Sequence, residues 1–168
     1  MTISKFTSAF GKQIPFIDDL GVEFLGVQNG QARVALDLQP RHLNSWEVAH
    51  GGVIMALLDV AMAVAGCGND PEAGGGVTVE MKTSFLQPGH AGARLIATGT
   101  AFHRSTTMAF CEGEVRDQDD RLLAKAIGTF KTIARRDVAK RMAGSVTRSH
   151  DRTEPQAPTK PTPRDDTD

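Results

Sequence analysis

Residues 50–65 of the chain read HGGVIMALLDVAMAVA. After the two glycines, every residue of this stretch is apolar except Asp59. A helix that is apolar on all sides belongs in the core of a protein rather than on its surface. We therefore predict a buried central helix over residues 51–65. Glycines mark its two ends, at Gly51, Gly52, Gly66 and Gly68.

Strand-like segments lie on both sides of this helix. Two precede it, and the Asn29-Gly30 pair between them is typical of a hairpin turn. Four more follow it, and the six predicted strands are 22–27, 32–38, 77–86, 94–103, 107–115 and 122–133. A sheet with one apolar face has to cover that face, and only one long helix is available. We predict an α+β domain in which one curved antiparallel sheet wraps around the central helix.

The segment that follows the helix carries two further signals. Glycines at residues 74–76 predict a flexible loop. In the next strand, apolar residues at Val77, Val79, Met81 and Phe85 alternate with polar ones, which predicts one buried and one solvated face.

Composition divides the chain into three parts. Residues 1–20 are predicted to be irregular, with a helical turn before Pro15. Residues 21–134 carry the periodic apolar pattern and form the predicted domain. Residues 135–168 are charged and rich in proline, which predicts disorder, with a short helical stub at 138–143 as an alternative for part of it.

The bulk properties exclude several classes of protein. The 168 residues have a formal net charge of -1, so no strong field attracts nucleic acid or an acidic membrane. No run of 18 uncharged apolar residues occurs, and the start of the chain lacks the apolar core of a secretory signal. Cys67 and Cys111 lack metal-binding spacing and predict free thiols in a reducing cytoplasm.

The predicted helix carries two candidate chemical groups. A carboxylate such as Asp59 is costly among apolar residues unless it is paired, protonated or open to a cavity. The Gly51-Gly52 pair leaves unpaired N–H groups at the positive end of the helix dipole, where an oxygen that gains negative charge can bind. Structural alternatives remain open: Asp59 can bond a neighbouring loop or subunit, and the glycines can simply permit tight packing.

The spacing of these groups has a geometric consequence. Gly51 and Asp59 lie eight residues apart, which is about 12 Å along a helix axis. Groups that act on one reacting centre have to be much closer to each other. Two antiparallel copies of the helix bring the start of one near the middle of the other. The spacing therefore predicts a homodimer with two composite sites.

These motifs resemble the PaaI-type branch of the hot-dog-fold thioesterases, which includes the mammalian thioesterase superfamily member 2 type. The resemblance covers residues 21–133 and implies a hot-dog fold. The motifs that carry it are His42-x-Asn44-x5-His50-Gly51-Gly52-x6-Asp59, then Gly76-Val77-Thr78-Val79-Glu80-Met81, and finally Phe85-x2-Pro88-Gly89.

The resemblance implies hydrolysis of an acyl-CoA thioester without a metal or a covalent cofactor. Asp59 falls on the position of the general base or nucleophile, and Thr78 on that of the hydroxyl residue that orients water. Asn44 and the backbone N–H of Gly51 fall on the groups that polarise the thioester carbonyl. Asn44 and Gly51 would come from one subunit, and Asp59 and Thr78 from the other.

Four further residues are candidate contacts to the substrate. His50 and Gly52 belong to the motif at the start of the helix, where His50 shapes the loop or touches the acyl group. Trp46 walls the acyl pocket or packs at the subunit interface. Arg104 is the cation nearest to the expected position of the CoA phosphates. Relatives usually have glycine at the position of Glu47. The side chain of Glu47 either narrows the acyl pocket or points to solvent.

Other functions remain open from the sequence. One is an acyl-CoA-binding protein without catalysis, and another is an enoyl-CoA hydratase or dehydratase that pairs His50 with Asp59. A metal site formed by His42, His50 and Asp59 has no established ligand spacing. The leading expectation is a cytoplasmic thioesterase for aromatic or medium-chain acyl-CoA, assembled as a homodimer or as a dimer of dimers.

Overall fold

A computed structural model describes residues 13–68 and 73–137 of the chain. Within them a short helix comes first, and then two strands, a long helix and four strands follow in the predicted order. The elements are α1 (Pro15–Leu20), β1 (Glu23–Gln28), β2 (Gln31–Asp37), α2 (Gly51–Cys67), β3 (Ala73–Phe85), β4 (Arg94–Arg104), β5 (Met108–Arg116) and β6 (Leu122–Ala134). A 3-10 turn, Pro40–His42, leads from β2 towards α2.

The six strands form one antiparallel sheet in the order β1-β2-β4-β5-β6-β3. One face of this curved sheet packs against α2, which touches every strand from β2 to β6. The predicted arrangement of a single sheet wrapped around a central helix is therefore confirmed.

The sheet approaches α2 very closely at its centre. A Cβ atom on Gly99 of β4 would lie 2.4 Å from the carbonyl carbon and oxygen of Ala61. Glycine at this position lets the helix backbone rest directly on the strand. Around this contact, the sheet-facing side chains of α2 form the core; they include Ile54, Leu57, Leu58, Ala61, Met62 and Ala65.

The other side of α2 is only partly covered by described residues, which differs from the predicted burial on all sides. Met55 is 38% exposed, and Gly51, Asp59 and Ala63 are partly exposed. These four residues lie four positions apart and form one ridge along the helix. We call this ridge the open stripe. The sheet covers only one side of a helix, so apolar composition alone overestimates the burial of the other side.

Both ends of the predicted helix differ in detail from the structure. Gly66 does not end α2 but is buried within it, because a Cβ atom there would lie 3.1 Å from the Cβ atom of Ala109. The helix ends at Cys67, and Gly68 follows with a φ of 60° that favours glycine. Before the domain, α1 begins at Pro15 instead of ending before it, since proline at the first helical position already has the required φ.

Strand β3 differs from its prediction in two respects. Residues 74–76 are not a loop, because Gly75 and Gly76 pair with β6. Val77 and Val79 are 51% and 59% exposed, so the predicted buried face is wrong at these positions. A bulge between Thr78 and Glu80 shifts the alternation, and β3 is an edge strand with one unpaired side.

Two predicted segments lie mainly outside the described residues. These are the irregular start, of which residues 1–12 are not described, and the disordered tail with its stub at 138–143. Residues 135–137, at the start of that tail, are helical. No helix within 13–68 and 73–137 has the length and hydropathy to cross a membrane.

Candidate active site

Asp59 and Thr78 meet where β3 passes the middle of α2. The hydroxyl of Thr78 donates a hydrogen bond of 2.6 Å to Oδ1 of Asp59. Oδ2 of Asp59 accepts no hydrogen bond from any residue in the described ranges. The structure thus places one carboxylate oxygen on the open stripe, available to a water or a substrate, with a hydroxyl beside it.

His50 caps the start of α2. Its Nδ1 accepts a hydrogen bond of 2.9 Å from the backbone N–H of Gly52. An accepting Nδ1 leaves the other ring nitrogen, Nε2, as the donor. Within the described residues no hydrogen bond joins His50 to Asp59. The cap is the kind of contact expected of the structural option for His50, and a contact with the acyl group stays a prediction.

The cap leaves one backbone donor open. The N–H of Gly51 donates to no oxygen of the described residues, whereas the N–H of Gly52 is used by His50. The Gly51 donor lies at the positive end of the α2 dipole. Gly51 therefore fits the predicted donor to an oxyanion, and Gly52 supports the cap that orients the first turn.

Asn44 orders the loop in front of the helix. Its Oδ1 accepts from the backbone N–H groups of Trp46 and Val48, at 2.9 and 3.4 Å. Its Nδ2 donates to none of the residues that the structure describes. The loop is joined to the helix start by a 2.9 Å hydrogen bond from the N–H of His50 to the carbonyl of His42. Asn44 therefore holds the loop through Oδ1, while its Nδ2 remains available as a donor to a substrate.

Glu47 and Trp46 occupy the tip of this loop. Glu47 has a φ of 58°, in the left-handed region that glycine adopts without strain. Its side chain is exposed, in agreement with the option that it points to solvent. Trp46 is 83% exposed, so within a single chain it does not wall a pocket.

His42 is a structural histidine of the same region. It is 1% exposed, and its Nδ1 accepts from the N–H of Gln39. Burial, followed by the charge of Arg41, lowers the pKa of His42 below its ordinary value. Residues 13–68 and 73–137 contain no cluster of three or more ligating side chains suited to a metal ion.

Arg104 lies at the opposite end of α2 from Gly51. Its guanidinium donates to the carbonyl of Ala65, in the last turn of the helix, and packs against Gly68. This turn is about 20 Å along the axis from the open N–H of Gly51. Among the described residues no hydrogen bond or ion pair joins Arg104 to Asp59, and its contacts are with the last turn of the helix. A contact between Arg104 and the CoA phosphates stays a prediction.

Phe85 is a site residue whose position the sequence pattern did not indicate. Its ring lies against Gly51, with Cζ 3.3 Å from the position a Cβ atom would take there. The ring is 52% exposed. The alternation along β3 predicted burial for Phe85, but no pattern in the sequence indicated that the ring contacts the helix start.

The groups around Asp59 do not line the cavity that the structure shows on the sheet. A cavity of about 400 Å³ lies on the other face of the sheet. Its lining includes Lys82, Thr98, Glu112, Glu114 and Lys125, and none of the predicted site residues. The groups around Asp59 instead lie on an open surface.

Comparison with known proteins agrees with this fold. The thioesterase superfamily model matches residues 47–124. The acyl-coenzyme A thioesterase PaaI of Escherichia coli is 30% identical over 105 residues, which cover 62% of this chain and 73% of that protein. The medium/long-chain acyl-CoA thioesterase YigI of Salmonella typhimurium is 26% identical over 136 residues, covering 72% of this chain and 87% of that protein.

Solved structures give the same result. A mutant of the phenylacetic acid degradation protein PaaI from Thermus thermophilus is 31% identical, with a TM-score of 0.64, and the match covers 71% of this chain and all of that one. The chain belongs to the PaaI-type hot-dog family of acyl-CoA thioesterases and is a thioester hydrolase.

Proposed function

We propose that this protein hydrolyses aromatic or medium-chain acyl-CoA thioesters to the free acid and CoA. The observation that carries the proposal is the hydrogen bond from Thr78 to Asp59 on the open stripe. It holds one carboxylate oxygen in place and leaves the other free. The names of the PaaI and YigI relatives support acyl-CoA as the substrate class.

The proposed reaction uses four groups. The oxygen of the Thr78 hydroxyl accepts a hydrogen bond from a water, Asp59 takes a proton from that water, and the water oxygen attacks the thioester carbonyl. The N–H of Gly51 and Nδ2 of Asn44 stabilise the oxyanion that forms. The tetrahedral intermediate then expels the CoA thiolate, which takes the proton back from Asp59, and leaves the carboxylic acid. Direct attack by Asp59 through an anhydride remains a second route with the same residues.

A homodimer supplies these groups to one centre. Gly51 and Asp59 lie about 12 Å apart on the same helix, so the donor and the base of one site come from different protomers. Three exposed features support an interface here: the open stripe, the unpaired edge of β3 with Val77 and Val79, and Trp46. Exposed apolar residues on a free strand edge are typical of surfaces that pair with another chain. A dimer of dimers remains a further prediction.

The side chains near Gly51 favour an apolar acyl group. The ring of Phe85 lies against Gly51, and Met55 follows one turn further along the open stripe. Neither side chain carries a charge that would select a charged acyl group. Both aromatic and medium-chain acyl groups fit this surface.

The assignment is tested with a panel of aryl and aliphatic acyl-CoAs, in which release of free CoA is measured. In Asp59→Asn we expect kcat to fall by about 10²–10⁴, because the base is lost while the shape of the side chain is kept. Asp19→Asn removes an exposed carboxylate from α1 and serves as the matched control with unchanged activity. Full activity in Asp59→Asn would contradict the assignment.

Subunit mixing tests the composite sites. Asn44→Asp and Asp59→Asn each disable both sites of their own homodimer. In a heterodimer of the two variants, one site combines the intact Asn44 with the intact Asp59. Random co-assembly should therefore restore about a quarter of the wild-type activity, as expected for closed two-fold assembly. No recovery in verified heterodimers would show that each site is built within one chain.

A further inference from the structure

Met55 stands apart from the other large residues of α2. It is 38% exposed, whereas its neighbours Ile54 and Leu57 are 3% and 0% exposed. It lies four residues after Gly51 and four before Asp59, so it belongs to the same ridge of the helix as both. A methionine between a proposed donor and a proposed base, which serve different sites, is therefore open to whatever covers that ridge.

The proposed dimer determines what covers it. In two antiparallel helices where Gly51 faces the partner's Asp59, the residue midway between these positions faces its own copy. Met55 is that residue. The two-fold axis therefore passes beside Met55, and the two active centres lie about 6 Å along the helix on either side of it.

We propose that Met55 and the partner's Met55 meet at the two-fold axis and form the shared wall between the two acyl pockets, so that this residue limits the length of the acyl group. The inference rests on the proposed composite dimer. An unbranched thioether adapts to irregular space and has no charge to desolvate, so it suits an apolar partition. Each copy contributes to both pockets, and one substitution changes the wall from both sides.

The location is tested without any activity measurement. Met55→Cys in a Cys67→Ser background places one reactive thiol at the proposed axis. Cys111 is buried, and burial raises its pKa to about 11, so it does not compete for a thiol reagent. We expect mild oxidation or a short bismaleimide to give a covalent dimer.

The control places the same thiol elsewhere. Met108→Cys in the same background is on β5, away from the open stripe, and should remain monomeric on a denaturing gel. If Met55→Cys gives no more covalent dimer than Met108→Cys, the location at the axis is wrong.

The effect on specificity is tested with acyl-CoAs of increasing chain length, from butyryl to palmitoyl. Met55→Ala removes the partition. The ratio of kcat/KM for longer chains to kcat/KM for the chain length that the wild type prefers should therefore rise about tenfold. Met108→Ala is the matched control and should keep the wild-type profile.

The outcomes separate the inference from the proposed function. An unchanged chain-length profile in a Met55→Ala variant that turns over substrate overturns the partition, even if the thiols crosslink. Crosslinking at residue 55 in a protein that hydrolyses no acyl-CoA supports the location and contradicts the proposed function instead.

Discussion

The two sides of α2 are both mainly apolar but have different surroundings. On the sheet-facing side, Leu57 and Leu58 are fully buried and Gly99 contacts the helix backbone. On the open stripe, Met55 and Asp59 remain accessible in the single chain. The difference indicates that one side provides stability and the other provides chemistry. Substitutions on the first side should lower the free energy of unfolding, and substitutions facing the second should lower kcat.

The largest expected effect tests the sheet-facing side. In Gly99→Ala, the new Cβ atom would lie 2.4 Å from backbone atoms of Ala61, and a helix backbone cannot rotate away as a side chain does. We expect a loss of about 3 kcal/mol or more in the free energy of unfolding, at the upper end of overpacking effects. Urea denaturation followed by circular dichroism measures it.

Gly113→Ala is the matched control for this prediction. The three atoms nearest to its Cβ atom would be side-chain atoms of Met62 and Leu58, at 3.0–3.3 Å, and these can move. The expected loss is about 1 kcal/mol. Equal losses in the two variants would show that α2 shifts freely on the sheet.

The next effect tests the open side by activity alone. Asn44→Asp keeps the Oδ1 acceptor for the N–H groups of Trp46 and Val48, so the loop should stay in place. It replaces the Nδ2 donor with an oxygen, and we expect kcat to fall about 100-fold, as for loss of one oxyanion donor. If instead the variant unfolds at a much lower urea concentration, Asn44 acts by stabilising the loop. The two sides of α2 then do not divide into one for stability and one for chemistry.

A smaller effect tests how the far end of α2 is held. Arg104→Gln removes a charged donor to the carbonyl of Ala65, near the negative end of the helix dipole. Because the side chain is largely exposed, we expect a loss of only about 1 kcal/mol, measured by urea denaturation. Arg104→Lys keeps the charge and should lose less. A higher KM for acyl-CoA at unchanged stability would show that Arg104 contacts the CoA instead.

The sequence was sufficient for the architecture because the long helix and the six strands have local signals. An uninterrupted apolar run with one carboxylate identified α2, and turn residues separated the strands. The pattern failed where burial depends on position in the sheet. Val77 and Val79 alternate like buried residues, but they lie on an edge strand next to a bulge. A hydrophobic pattern reports which residues are apolar and cannot report which edge stays unpaired.

The site was predicted less completely than the fold. The resemblance grouped Asp59 with Thr78, and the structure joins them by a hydrogen bond. The cap by His50 could not be read from the sequence, because histidine is not among the usual residues at that position. Met55 looks like any core methionine until the structure shows its exposure.

The smallest expected effect tests the loop that faces the open side. Glu47 holds a left-handed φ of 58°, which costs a residue with a Cβ atom about 1 kcal/mol. Glu47→Gly removes that cost, while the greater freedom of the unfolded chain offsets part of the gain. We expect a net gain of about 0.5 kcal/mol, seen as a rise in Tm of about 1–2 °C. Glu47→Ala removes the charge but keeps the Cβ atom, so an equal gain there would assign the effect to charge. If Glu47→Gly also lowers kcat, a rigid loop is needed to hold Asn44. The strained backbone at Glu47 then contributes to catalysis on the open side by keeping that loop rigid.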